Sequence, residues 1–160
     1  MIFTIQILLY LAFFTLAIWL VVRNGPLGGL FFYPKPVQER VYELGLADRD
    51  TVSKSRKVCF SLLLIGCAVL PVLFIGLWSR VGDFKTAFWQ ALILLEIMNW
   101  YDGIVIDVLW AQHTKFWIIP EVKDLKIGKE WGFILKERLI MTVVYIPIAT
   151  LLGWLATLLN

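Results

Sequence analysis

Five side chains between positions 96 and 113 carry most of the chemistry this chain can offer. Glu96, Asn99, Asp102 and Asp107 interrupt an otherwise apolar stretch, and His113, the single histidine, follows at its end. Winding the stretch as an α-helix at about 100° per residue, with Glu96 at 0°, puts Asn99 near −60°, Asp102 near −120°, Asp107 near +20° and His113 near −100°. Gly103 and Trp110 fall in the same arc. Leu94, Met98, Ile104, Val105 and Val108 take the opposite side, which reads as lipid-facing. Carboxylates gathered on one face can hold a cation or exchange protons, and a histidine beside them can act as acid or base. On this reading His113, Asp102 and Glu96 are the candidate catalytic residues, with Asn99, Asp107 and Trp110 as ligand contacts. A metal is not assigned. Asp102 and His113 stand about 16 Å apart along a helix axis, and no H-x-x-x-H, E-x-x-H or C-x-x-C pair occurs. Serine-hydrolase and nucleotide-binding patterns are absent too, and no cofactor is implied.

The elements that must position these residues follow from composition. Of 160 residues, 60% are hydrophobic and 17% charged, with a mean hydropathy of +0.80. A soluble domain carries about 25% charged residues, so an ordinary cytosolic enzyme and a disordered chain are both excluded. The net charge of +3 is too small and too dispersed to imply nucleic acid. Cys59 and Cys67, eight residues apart on one apolar segment, are about 12 Å apart on a helix. That is too far for a disulfide, and both read as small buried hydrophobes.

A membrane helix needs roughly 20 mostly apolar residues. Four stretches qualify: 2–22, 58–78, 87–110 and 139–159. Pro71 and Pro147 are expected to kink the second and fourth. The first stretch has no basic residue before it and no A-x-A site after it, so it reads as a retained helix rather than a signal peptide. The expected architecture is all-α: one transmembrane domain of four helices. Orientation follows from Lys and Arg. Residues 23–57 carry seven, residues 113–138 carry six, including Lys126 and Lys129, and the short loop at 79–86 carries two. The long loops are therefore expected in the cytoplasm and both termini outside.

Depth sharpens the reading. At about 1.5 Å per residue, Glu96 lies near mid-bilayer and Asp107 near the cytoplasmic boundary. The polar stripe opens inward above an apolar floor, which suits a cytoplasm-facing pocket better than a pore. The other three stretches, so delimited, contain no charged side chain. Arg23, Lys115 and Arg138 at the inner ends can reach Asp107 but not Glu96. Glu96 is thus expected to be uncharged or to hold a cation. In the first long loop, Pro36 suits a helix start and Gly45 its stop. Val37, Val41 and Leu44 share one face of that helix, which is expected to lie at the membrane surface. Tyr33, Lys35, Arg40, Lys115 and Arg138 are expected to form a basic, partly aromatic rim around the pocket mouth. A further helical turn is expected from about Lys129, running into the fourth stretch.

Two segments support a family expectation. FYPKPVQERVYELGL, from Phe32 to Leu46, and DGIVIDVLWAQHTKFWIIP, from Asp102 to Pro120, resemble a group of small bacterial four-span membrane proteins to which no activity is assigned. The resemblance implies a bacterial inner-membrane setting and carries no mechanism. The expected partners are membrane lipid, a small cation or amphiphile, and further copies of the chain. Three functions fit: a pocket that binds a cationic or lipid-like ligand and performs acid/base chemistry on it, an oligomeric proton- or cation-coupled transporter with Glu96 as its carrier, or a non-catalytic subunit that docks a partner.

Overall fold

Helix α1, Ile2–Val22, carries no charged residue and ends at Arg23. Gly25 then turns the chain with φ +122°, a conformation that favours glycine. In this computed structural model, which describes residues 1–125, 128 and 130–159, all regular structure among the described residues is helical. A short 3-10 segment, Pro26–Phe32, leads into α2, Lys35–Glu43. Helix α3 spans Arg49–Val72. The Asp48 carboxylate starts it by accepting the Thr51 N–H at 2.9 Å. Pro71 lacks the N–H that would bond the Cys67 carbonyl, and the helix continues as a wider π-helical turn, Leu73–Trp78. Helix α4, Phe84–Tyr101, is capped by Asp83 in the same way and also widens into a π-helical stretch, Asp102–Trp110. Helix α5 covers Trp131–Thr157.

Three of these helices are long and apolar enough to cross a membrane: Ile2–Val22, Arg49–Trp78 and Trp131–Thr157. Their apolar stretches turn large side chains outward, with Leu8, Leu64 and Val143 at 63, 69 and 66% exposure. Helix α4 packs chiefly along α5. Small residues make that seam: Ala87 and Ala91 of α4 and Ala149, Gly153 and Ala156 of α5 are all buried. A Cβ on Gly153 would lie 2.8 Å from the Phe88 backbone nitrogen, so the two backbones touch there.

The two long connections fold onto each other and make a second core beneath the bundle. Val22, Leu30, Tyr33, Val37, Val41 and Trp117 are buried in it. The expected α2 face is therefore used, but by protein: Val37 and Val41 are buried, whereas Leu44, just past the helix end, is exposed. Gly45 at φ +67° turns the chain away.

Two sequence expectations change. Helix α3 begins at Arg49, more than two turns before its apolar stretch, because a helix continues through polar residues that a hydrophobicity window discards. Helix α5 begins at Trp131, close to where a turn running into the fourth stretch is expected. The turn expected from Lys129 falls at a residue outside those described, as do Lys126 and Ile127. The supposed lipid face of the third stretch is largely internal: Leu94, Met98 and Val108 are 0, 4 and 6% exposed. Helix α4 contacts α1, α3 and α5, while Trp89, Ile93, Ile104 and Leu109 remain exposed along it and its π-helical extension.

Candidate functional site

The early start of α5 brings a cation into the bundle. Arg138 lies about two turns into that helix and is 8% exposed. Its Nη1 donates to Asp102 Oδ2 at 2.8 Å, and its Nη2 donates to Asp107 Oδ2 at 3.0 Å. One planar guanidinium thus holds two carboxylates five residues apart. On an ordinary α-helix those carboxylates would diverge by about 140°. The i→i+5 winding of Asp102–Trp110 returns residues five apart to nearly the same face. Gly103 clears the space between them: a Cβ there would lie 2.9 Å from Arg138 Nε.

Asn99 closes the arrangement from the α4 side. Its Nδ2 donates to the Arg138 carbonyl at 3.0 Å, while Arg138 Nη1 also reaches the Asn99 carbonyl at 3.3 Å. One turn further along α5, the Thr142 hydroxyl donates to Glu96 Oε2 at 2.9 Å and also lies 3.2 Å from the Arg138 carbonyl. Glu96, Asn99, Asp102 and Asp107 are therefore brought together as expected, but around an arginine that had been placed at the rim. Among the described residues, Glu96 Oε1 and Arg138 Nε are buried without a hydrogen-bond partner.

Below this network lies a cavity of about 140 Å³. Asp102, Asp107, Ile18 and Ile106 form its bundle side, and Phe32, Tyr33 and Trp117 its loop side. The Tyr33 hydroxyl donates to the Trp117 carbonyl at 2.7 Å, which fixes both rings. Burial pushes the Tyr33 phenol above its ordinary range, so it stays protonated. The indole N–H of Trp117 is buried and unpartnered. Trp110 lies outside the cavity and meets Trp117 edge to face at 5.4 Å.

The remaining expected site residues are elsewhere. His113 is exposed, in the turn after Trp110, with ring Nδ1 2.8 Å from the Val108 carbonyl of the preceding helical stretch, and it does not line the cavity. Lys35 and Lys115 are exposed, and Arg40 pairs with Glu43 at 3.4 Å on the surface. The basic rim is thus not assembled by these side chains. Phe32, Trp117, Gly103 and Thr142 were missed. Thr142 had one signal, its i+4 spacing from Arg138. Chemically, carboxylates facing three aromatic rings suit a bound cation. Among the described lining residues none is a nucleophile of the serine or cysteine kind. No family model, curated protein or solved structure matches the chain.

Proposed function

We propose that the protein is a four-span membrane protein whose loop-side cavity binds a small organic cation, or the cationic head of an amphiphile. The observation that carries this reading is the cavity wall, in which Asp102 and Asp107 face Phe32, Tyr33 and Trp117. Each aromatic face contributes about 0.5–2 kcal/mol toward a desolvated cation. A volume of about 140 Å³ suits an ammonium group with a few carbons. Binding, rather than turnover, is the reading supported, because His113 stands outside the cavity.

In this reading α4 with its π-helical extension is the remaining span, although Glu96, Asp102 and Asp107 lower its hydropathy. The sign bias of the loops supports both termini outside and the loop core in the cytoplasm of a bacterial inner membrane. Helix α2 then lies beside the headgroups with its apolar face turned into the protein. Titrating the detergent-solubilised chain with tetramethylammonium, while following tryptophan fluorescence, tests the site. Saturable quenching that is absent with neutral neopentane-like analogues, and weakened in Asp102→Asn, is the expected result. Equal response to charged and neutral probes would overturn it.

A further inference from the structure

The outer half of the bundle is not the apolar floor that the third stretch alone suggests. Gln6 and Tyr10, one turn apart on α1, are 0 and 1% exposed. Gln6 Nε2 donates to the Phe74 carbonyl and to the Ser79 hydroxyl, both at 2.9 Å, at the end of α3. Its Oε1 is buried without a partner among the described residues, whereas the Tyr10 hydroxyl is within hydrogen-bonding reach of the Cys67 thiol. Tyr145 of α5 and Cys67 of α3 are partly buried against the same core cluster that holds Tyr10. Gln90 Oε1, Glu96 Oε1 and Arg138 Nε are, in order of depth, further unpartnered atoms inward among the described residues.

These atoms are ordered in depth. Measured from the outer helix ends at about 1.5 Å per residue, Gln6 is shallowest and Tyr10 lies about 6 Å deeper. Glu96 and Tyr145, on different helices, both fall near 18 Å, and Asp102 and Arg138 both near 27–28 Å. Buried polar groups left unpaired cost about 1–3 kcal/mol each, and internal water is the usual partner that removes this cost. Orphaned atoms spaced through the depth of one bundle are therefore read as the partners of internal water rather than as separate packing faults.

We propose that these groups form a proton path across the bilayer, from Ser79 and Gln6 through Tyr10 and Tyr145 to Glu96 and on to Asp102 at the loop-side cavity. Each tyrosine hydroxyl accepts a proton on its oxygen from one water and releases its own to the next. Glu96 takes a proton on one carboxyl oxygen and gives one up from the other. One proton crosses and every group returns to its starting state. A lone guanidinium would repel protons at the inner end, but Asp102 and Asp107 both sit on Arg138 and remove that barrier. The path rests on the membrane-spanning part of the reading above and not on cation binding.

The test uses the full chain reconstituted in phosphatidylcholine–phosphatidylglycerol vesicles, with pyranine inside and a valinomycin-set potassium potential driving protons inward. The wild type is expected to acidify the lumen faster than protein-free vesicles do. Glu96→Gln should fall to the protein-free rate, and Tyr145→Phe should be slowed. Wild-type vesicles no faster than protein-free ones, or a folded Glu96→Gln as fast as wild type, would overturn the path. If Glu96→Gln does not fold, Tyr145→Phe decides: a wild-type rate overturns the path and a slowed rate supports it. Tetramethylammonium titration in detergent separates this outcome from the cation-binding reading.

Discussion

Removing the Arg138 guanidinium tests whether the α4–α5 network is a true ion cluster. Arg138→Met keeps the length of the side chain and deletes the charge. The Arg138 side chain is 10% exposed, against 26% for Asp102 and 21% for Asp107. Breaking a fully buried pair by deleting one partner costs about 3–5 kcal/mol. Here both carboxylates open toward the cavity and can be hydrated, which lowers the expected cost to about 2–3 kcal/mol. Asp102→Asn alone should cost less, about 1.5 kcal/mol, because Asp107 still answers the charge. The double variant should lose about 1 kcal/mol less than the sum of the two, since Arg138→Met leaves Asp102 as a carboxylate without its guanidinium and the second change removes that charge. Denaturant titration in detergent, followed by tryptophan fluorescence, measures all three. Strict additivity, or an Arg138→Met stability within about 0.5 kcal/mol of wild type, would show that the contacts carry no net energy and would refute this account.

Gly103→Ala should destabilise the same network, although alanine gains about 1 kcal/mol over glycine in a helix. The new Cβ would lie 2.9 Å from Arg138 Nε and 3.2 Å from Cγ and Cδ, and an arginine pinned to two carboxylates has little room to retreat. A net loss by the same fluorescence titration checks this, and a gain would place the guanidinium elsewhere. Asp48 sits below the ordinary carboxylate range because it accepts the Thr51 N–H and hydroxyl. Its folded pKa is depressed, so its contribution to stability is present above the unfolded value and disappears as pH falls through the folded one. Asp48→Asn should therefore flatten the acid side of the stability–pH curve, measured as melting temperature against pH, while a curve parallel to wild type would contradict it.

The helical class, three of the four apolar stretches and the grouping of Glu96, Asn99, Asp102 and Asp107 were legible in the sequence because period and hydropathy report them directly. The centre of the site was not, for two physical reasons. Arg138 stands just outside the apolar stretch at 139–159, so a reading that equates a helix with its hydrophobic window puts its side chain at the rim. The 100° step then separates Asp102 from Asp107, whereas the π-helical winding brings both onto one guanidinium. Nothing local in DGIVID announces that winding; it becomes sensible only once a cation from another helix is available to hold both ends. His113 shows the opposite error. Its angle was right for the stripe, but the chain leaves the helix around it and its ring turns back to the Val108 carbonyl.

Both widened turns end up serving a polar side chain from another helix. Arg138 reaches the Asn99 carbonyl at 3.3 Å, just before the second one, and Gln6 reaches the Phe74 carbonyl at 2.9 Å within the first. That pairing gives Gln6→Leu unusual power to discriminate. In a dry site the change loses two hydrogen bonds worth about 1 kcal/mol each, but it also removes the buried Oε1, whose lack of a partner costs about 1–3 kcal/mol. The net effect would then be near zero or stabilising. If water occupies the Oε1 side, that penalty was never incurred. The loss should then approach about 2 kcal/mol, with the Phe74 carbonyl left to the backbone alone. A hydrated path requires the second result. A neutral or stabilised Gln6→Leu, read by the same denaturant titration, would mean that the outer half of the bundle is dry, and the proton path would lose its entrance.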